Sequence, residues 1–441
     1  MTSAGPAADE GTGATSASTL ASGRRSAGPE HGLRTRCRVC GSEQVDRFLQ
    51  LGDMPLANSF LAGPEEFSSE RRYPLDVYFC TRCSLVQLLD VIDPEVLFRD
   101  YIYVTGTSDT MAAHNARYAR TVVDFLDLGP EDTVVEVASN DGSLLRQFQD
   151  RGVRVLGVEP AVNIAAIAES NGIPTVNAFF NAATAEGLKR ERGQARAIIG
   201  NNVLAHVDTP VDFLGGCREL LAPDGLVIVE VPYVGEMLER LEYDTIYHEH
   251  LCYFSITALL RLFEEVGLSV VRLDRVPVHG GSIRVYAGHR QGTDHAGAVR
   301  EQARREEEDG IVDADRYLRF ARDVERHRSA LRALLEQQLS AGRTLAGYGA
   351  PAKGNTLLNY CGIDRQTIPF IADRSPLKVG KYTPGTHIPV LPPTALLERQ
   401  PDATLILAWN FAVEIVEQQR EYAAAGGRFI IPIPEPRILE T

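Results

Sequence analysis

From about Thr121 the chain alternates short apolar runs with helix-patterned stretches. Thr133–Ala138 reads as a buried strand, Ser139–Ser143 as a turn, and Leu144 to Gln149 as the start of a helix. Val153–Val158 gives a second strand ending at Glu159-Pro160, and an Ala-rich helix follows from about Asn163 to Ser170. Ala197–Ile199 and Leu226–Val231 supply further strands. Strands alternating with helices predict an α/β domain with a doubly wound, mainly parallel sheet. Phe254–Phe263 has amphipathic helical spacing, with Ser255 as its N-cap. Residues Asp294 to Gln338 are charged with interspersed Leu, Val and Phe, predicting one or two bridging helices with a largely solvated face. Arg343–Ala352 then predicts a strand and a Gly-rich turn, followed by a helix from Asn355 to Tyr360 with Pro351 in its first turn. Pro369–Ala372 reads as one more strand.

At 441 residues the prior is about three domains. Lys plus Arg number 45 and Asp plus Glu 59, a net charge of −14. That sign argues against binding nucleic acid or anionic lipid through overall charge. No stretch has the roughly eighteen unbroken apolar residues of a membrane span. Residues 1–33 are rich in Ala, Gly, Ser, Thr and Pro without an apolar signal region, so we expect a disordered tail and a cytoplasmic protein. The expected divisions are a zinc-binding module at 34–110, a ligand-binding doubly wound domain at 111–292 and a second Rossmann-like domain at 293–441.

Four of the seven cysteines form two C-x-x-C pairs, Cys37/Cys40 and Cys80/Cys83. Each pair lets two thiolates from one tight turn reach one ion, and two such turns make a closed tetrahedral site suited to structural zinc. A closed site has no open coordination position, so the ion has no catalytic part. Cys217, Cys252 and Cys361 are isolated and read as small core residues.

Ligands of a doubly wound sheet sit beyond the carboxyl ends of its strands. There the turn Ala138–Gly142 brings backbone close, Glu159 ends the second strand, and Asn201 and Asn202 follow another. A tight first turn, an acid placed for two ribose hydroxyls and no phosphate cradle suit S-adenosylmethionine. Asn140, Asp141, Glu159, Asn201 and Asn202 are its candidate contacts. The turn lacks the several glycines of a dinucleotide fingerprint.

Tyr247-His-Glu-His250 is the densest cluster of reactive side chains and precedes the Ser255-capped helix, so it lies on a loop. His248 and His250 could bind metal, could hold the loop by hydrogen bonds, or one could be a general base oriented by Glu249. Farther on, Gly347-x-Gly349-x-x-Ala352 is followed by Asp373, the Gly/Gly/Ala form of the dinucleotide fingerprint. An NAD-dependent nucleotide-sugar oxidoreductase is therefore one reading of the residues. A non-catalytic nucleotide-sugar binding module is another.

Two C-x-x-C pairs, Glu136-Val-Ala-Ser-Asn-Asp-Gly142, Asn201-Asn-Val-Leu-Ala-His206, Tyr247-His-Glu-His250 and Gly347-Tyr-Gly-Ala-Pro-Ala-Lys-Gly-Asn355 occur in that order. As a set they resemble the S-adenosylmethionine-dependent sugar C-methyltransferases of antibiotic deoxysugar biosynthesis, from Cys37 to the C-terminus. The resemblance implies a central class I methyltransferase domain and methylation at C3 of a dTDP-4-keto-deoxysugar through a base-generated enolate. It implies His250 as base and Tyr247 as donor to the enolate oxygen. Glu249, His206 and Tyr101 complete the pocket, with Tyr103 an alternative to Tyr101. It further implies that the C-terminal domain holds the nucleotide sugar, with Gly349, Lys353 and Asn355 near the ligand and Lys378 and Lys381 behind them. The segment His279–Arg284 could also meet phosphate or sugar. With three domains able to enclose a cleft, we expect a monomer.

Overall fold

The computed structural model describes residues 1, 30–99, 109–276, 280–289 and 296–439. Most of the expected tail, together with Tyr101, Tyr103 and His279, lies outside them. The end of that tail is structured, contrary to expectation. His31–Leu33 pairs antiparallel with Asp90–Ile92, and the His31 Nε2 lies 2.9 Å from Asp90 Oδ1.

The N-terminal module is an antiparallel meander of β1 (Val45–Met54), β2 (Tyr73–Cys80) and β3 (Val86–Leu88). Alternation in β1 buries Leu49, Leu51 and Met54 and leaves polar residues between them outside. Two matching turns carry the cysteines. Gly41 N–H donates to the Cys37 carbonyl at 3.1 Å, and Ser84 N–H to that of Cys80 at 2.9 Å. Cys37 and Cys83 Sγ are 3.5 Å apart, Cys40 and Cys80 Sγ 3.6 Å. Four thiolates around zinc at about 2.3 Å have edges of about 3.8 Å, so the donors stand nearly in place. Hydrogen bonds from Cys80 and Cys83 push the Cys37 thiol down while those two are pushed up, a competition for negative charge that a divalent cation relieves.

Helix α1 (Asp109–Leu126) leads into the central sheet. Its strands are β4 (Thr133–Val137), β5 (Arg154–Val158), β6 (Thr175–Val176), β7 (Ala195–Asn201) and β8 (Leu221–Pro232), with α2 (Ser143–Gln149) after β4. Next along the chain, β9 (Cys252–Tyr253) leaves this sheet and pairs with β3 as fourth strand of the N-terminal sheet. Helix α3 (Ile256–Glu265), β10 (Ser269–Val276) and β11 (Ser282–Gly288) complete the domain. The order is β10-β11-β8-β7-β4-β5-β6, parallel from β8 to β6, with β11 antiparallel to both its neighbours. This is the doubly wound sheet that the apolar pattern predicts, in the class I form that the resemblance implies. Runs such as Val134-Val135 and Val227–Val229 are buried because both faces are covered.

Ser255 caps α3 as expected, accepting from Ala258 N–H at 3.0 Å. A second cap comes from afar. In α4 (Ala296–Glu308), Glu306 is buried and accepts from Ile256 N–H, Thr257 N–H and the Thr257 hydroxyl. A carboxylate at a helix N-terminus is favoured by the exposed N–H groups there. The charge of this segment is thus not all solvated. The second bridging helix is α5 (Ala314–Ser340).

The C-terminal sheet contains β12 (Leu345–Tyr348), β13 (Ile371–Ala372), β14 (Val390–Leu391), β15 (Ala403–Ile406), β16 (Arg428–Ile431) and β17 (Arg437–Ile438). Its order is β14-β13-β12-β15-β16-β17, antiparallel only at β17. Helix α6 (Ala352–Cys361) follows β12, with Pro351 as its N-cap rather than inside its first turn. Cys217, Cys252 and Cys361 are core residues, as expected.

The cysteine geometry predicts about one zinc per chain by elemental analysis. Cys83→Ser should bring that to near zero and destabilise the protein by on the order of several kcal/mol. Full stability of a metal-free sample would contradict the assignment.

Candidate active site

After β4 the backbone turns through left-handed conformations at Ala138 (φ 54°), Asn140 (φ 49°) and Gly142 (φ 75°). A Cβ at Gly142 would come within 2.8 Å of Ile173, so the turn needs glycine there for space as well as for conformation. Glu159, at the end of β5, reaches across to the turn. Its Oε2 accepts from Asn140 N–H and its Oε1 from Ala161 N–H, each at 2.9 Å. Burial pushes this carboxyl up, and the two N–H donors pull it partly back. Each oxygen keeps a further lone pair for a hydroxyl. Burial, then Asp141 and Glu159, hold Glu136 on β4 well above the usual carboxylate range.

Asp141 Oδ1 accepts from Ser143 N–H at 3.2 Å at the start of α2. Asn202, at φ 54°, donates its N–H to the Glu230 carbonyl at 2.7 Å, which aligns the loop after β7 with β8. Buried oxygens of Glu136, Ser139, Asn201 and Asn202 lack a protein partner among the described residues. Strained backbone beside unsatisfied buried polar atoms marks a ligand site. This acceptor-rich edge fits the hydroxyl, amine and adenine donors of S-adenosylmethionine.

The Tyr247–His250 loop lies beside the same sheet edge. Leu251 N–H donates to the Ala205 carbonyl at 2.8 Å, and the His206 and His250 rings meet at 4.8 Å between centroids. Phe98 closes the other side of His206 at 5.6 Å, and desolvation pushes that imidazole down to about 4. His250 Nδ1 is 2.8 Å from the Thr245 carbonyl, and its Nε2 is 2.9 Å from the Tyr247 hydroxyl. A carbonyl only accepts, so Nδ1 carries the proton and Nε2 presents its lone pair to the Tyr247 O–H.

The other two members of the loop face different partners. His248 Nε2 donates toward the Tyr73 and Pro74 carbonyls at 3.3 and 3.2 Å, and burial pushes it down to about 4. It holds the loop to β2, and the only cluster of metal-ligand type among the described residues is the four cysteines. Glu249 is buried and accepts from Asn58 Nδ2 at 2.7 Å. The expectation that Glu249 orients His250 is corrected: the orienting partner at Nδ1 is the Thr245 carbonyl, within the same turn. Tyr101 lies outside the described residues.

In the C-terminal domain Gly349 adopts φ 80°, and a Cβ there would meet Ala408 at 2.9 Å. The dinucleotide-like turn therefore exists, and its acid clasps the turn as Glu159 does in the central sheet. Asp373 Oδ2 accepts from Ala350 N–H at 2.6 Å and its Oδ1 from Ser375 N–H at 2.7 Å. Lys378 donates to the Ala350 carbonyl at 2.8 Å. Lys353 lies 3.8 Å from the Trp409 ring centroid and donates to Asn410 Oδ1. Burial pushes its ammonium down to about 8, while Asp244 and Glu242 pull it back up. Lys381 joins this segment through backbone bonds to Lys378 and Val390. Asn355 is buried, its Nδ2 donates 2.7 Å to the Ala57 carbonyl of the N-terminal module, and it lines a small crevice with Tyr247 and Thr356. Arg284 likewise turns inward, bonding Glu230 Oε2 through Nε and Nη2 at 2.9 and 2.7 Å.

Sequence reasoning missed Asn58, Asp244, Thr245 and Trp409. Trp409 is the only tryptophan in the chain, a signal that was legible. Its Nε1 donates to Asp244 Oδ2 at 2.7 Å. Asn58 stands 191 residues from its partner in a polar loop, with no local pattern to mark it.

Residues 37–98 match the family described as "Putative zinc binding domain", 111–273 that described as "Methyltransferase domain", and 277–434 that described as "C-methyltransferase C-terminal domain". The chain is 42% identical over 405 residues to C-methyltransferase NovU of Streptomyces niveus, covering 91% of this chain and 96% of that one. It is 23% identical over 167 residues to the ubiquinone biosynthesis O-methyltransferase of Burkholderia pseudomallei (strain 1710b), covering 34% of this chain and 70% of that one. Among solved structures, magnesium protoporphyrin IX methyltransferase (ChlM) from Synechocystis PCC 6803 with bound SAM aligns over 42% of this chain and 86% of that one, at 14% identity and a TM-score of 0.31.

The His248 geometry predicts a pH effect. Unfolded, its imidazole takes a proton below its ordinary 6.5; folded, only below about 4. The unfolded state therefore binds more protons between those values, and stability falls as pH drops through that window. At pH 5 the loss from this one group is about 2 kcal/mol relative to neutral pH. Urea unfolding at pH 7 and pH 5 should show a larger drop for the wild type than for His248→Gln, by about that amount. Equal drops would remove His248 from the account.

Proposed function

The chain belongs to the C-methyltransferase family of NovU, which is the sugar C-methyltransferase family its motifs resemble, and from that membership we propose that it methylates C3 of a dTDP-4-keto-deoxysugar. S-adenosylmethionine supplies an electrophilic methyl group, which a carbon nucleophile can accept. A ring carbon becomes nucleophilic only beside a carbonyl, where loss of its proton gives an enolate. The chain must therefore provide a base and a donor to the enolate oxygen within one hydrogen-bonded unit.

The Tyr247–His250 pair is the observation that carries this reading. With its proton held at Nδ1, His250 offers a basic Nε2. The Tyr247 O–H rests against that nitrogen at 2.9 Å. When the sugar's 4-keto oxygen draws the Tyr247 O–H to itself, the Nε2 lone pair is released to take the C3 proton. The C3–H electrons move into the enolate, whose oxygen is stabilised by Tyr247. The C3–CH3 bond then forms as the S–CH3 bond breaks, a neutral thioether leaves and the ketone returns. The proton stays on His250 Nε2 until solvent removes it.

His206 stays neutral at ordinary pH and packs its ring edge-on against the His250 imidazole. Glu249, held by Asn58 at 2.7 Å, ties the loop that carries His250 to the N-terminal module. The Gly349 turn lies at the C-terminal switch point, between β12 and β15, where the first N–H groups of α6 and the Lys353 ammonium suit a diphosphate.

His250→Asn should lower kcat by at least about a thousandfold while leaving S-adenosylmethionine affinity by calorimetry nearly unchanged, since a base acts in the chemical step. NMR of the product from a panel of dTDP-4-keto sugars should place the new methyl on C3. Turnover within a few-fold of wild type in His250→Asn, or a methyl on another carbon, would overturn the reading.

A further inference from the structure

We propose that Trp409 and Asp244 are positioning residues for this methyl transfer, through which the C-terminal domain sets the tautomer and orientation of His250. The inference rests on His250 being the base.

The short 3-10 turn Tyr243–Thr245 ends at the carbonyl that receives His250 Nδ1–H. That turn and the residue after it are gripped from the C-terminal half at three points. The Tyr243 hydroxyl lies 3.0 Å from His327 Nδ1 on α5, and His327 Nε2 is fixed in turn by the Pro432 carbonyl at 2.7 Å. Asp244 Oδ2 accepts from Trp409 Nε1 at 2.7 Å. The Ile246 carbonyl accepts from the Thr356 hydroxyl on α6 at 3.1 Å. Tyr243 and Asp244 are fully buried, so none of these bonds competes with bulk water.

A path therefore runs from the indole through the Asp244 carboxylate and one peptide unit to the Thr245 carbonyl, and from there to the imidazole. Its geometric consequence is specific. If the Thr245 carbonyl rotates away, Nδ1 loses the acceptor that holds its proton, and the proton can shift to Nε2. An Nε2–H imidazole cannot take a proton from carbon. Lys353 adds a second link, because its ammonium lies over the Trp409 ring while its backbone opens the helix that follows the Gly349 turn.

The test reads the tautomer directly. In full-length protein labelled with 15N-histidine, the His250 signals are identified by their loss in His250→Asn. Wild type should show a protonated Nδ1 and an unprotonated Nε2. Trp409→Phe keeps an aromatic ring but removes the N–H donor. It should mix or reverse that signature and lower kcat by about ten- to a hundredfold, the scale on which orienting partners act, with KM for S-adenosylmethionine within about twofold. Asp244→Asn keeps an acceptor for the indole and should retain both the signature and most of kcat, whereas Asp244→Leu should lose both. An unchanged signature with kcat within about twofold in Trp409→Phe would overturn the proposal. If that variant fails to fold, equal behaviour of Asp244→Asn and Asp244→Leu would do the same. Should His250→Asn prove active, the enolate reading falls, yet the tautomer signal of Trp409→Phe still decides whether this path sets the imidazole.

Discussion

One hydrogen bond, from His250 Nδ1 to the Thr245 carbonyl, fixes which ring nitrogen presents a lone pair to the site. An imidazole has one proton when neutral, and its two nitrogens compete for it. Binding that proton at Nδ1 leaves Nε2 as an acceptor aimed at the Tyr247 hydroxyl. Placing an acceptor at Nε2 instead would have produced a donor facing the substrate and a site fit for polarising a carbonyl rather than for removing a proton. The carbonyl comes from five residues earlier in the same loop, so the imidazole and its orienter are fixed by one local backbone conformation. That conformation is stable only if its surroundings hold it, because a loop of this length has little packing of its own.

The surroundings come from every part of the molecule. The N-terminal module contributes the Tyr73 and Pro74 carbonyls to His248 and Asn58 to Glu249, while the loop after β7 contributes the Ala205 carbonyl to Leu251. Tyr247 itself lines a small crevice with Met54 and Ala57 from one side and Asn355 and Thr356 from the other. This gives the zinc a remote but definite role. A module of about sixty residues buries too little apolar surface to be rigid alone, and a closed tetrathiolate supplies the missing constraint. The metal stiffens the wall against which the loop is pinned, and it needs no open coordination site to do so.

Legibility followed the range of the interactions. Buried strands such as Thr133–Val137 and Arg154–Val158, the Ser255 cap and the cysteine turns were readable because each is encoded within a few residues. The cluster Tyr247–His250 was readable as reactive, but its division of labour was not. His248 holds to the Tyr73 carbonyl and His250 to that of Thr245, two residues apart with opposite tasks, and only the folded chain separates them. The Asn355 contact was unreadable for the same reason: its motif surrounds a phosphate-binding type of turn, while its Nδ2 also serves the Ala57 carbonyl of the N-terminal module, 298 residues away. Asn58 and Trp409 act across 191 and 165 residues, and nothing in their neighbourhoods anticipates partners at that distance.

The second Rossmann-like domain shows why a glycine fingerprint alone does not identify a redox cofactor. A dinucleotide needs the acid at the end of the second strand for the ribose of its adenosine half. Here the two oxygens of Asp373 accept from Ala350 and Ser375 N–H groups, and Lys378 lies against the same turn through the Ala350 carbonyl. Glu159 in the central sheet makes a similar clasp, so the acid alone does not separate the two sites; the central sheet differs in that buried oxygens of Ser139, Asn201 and Asn202 lack a protein partner among the described residues. Two sheets with the same switch-point geometry are thus given different surroundings. One is lined by acceptors that suit a cationic, hydroxyl-bearing donor of methyl groups. The other is edged by Lys353 and Lys378, which suit an anionic diphosphate. The two switch points thus differ in the charge they favour, with acceptors at one and ammonium groups at the other.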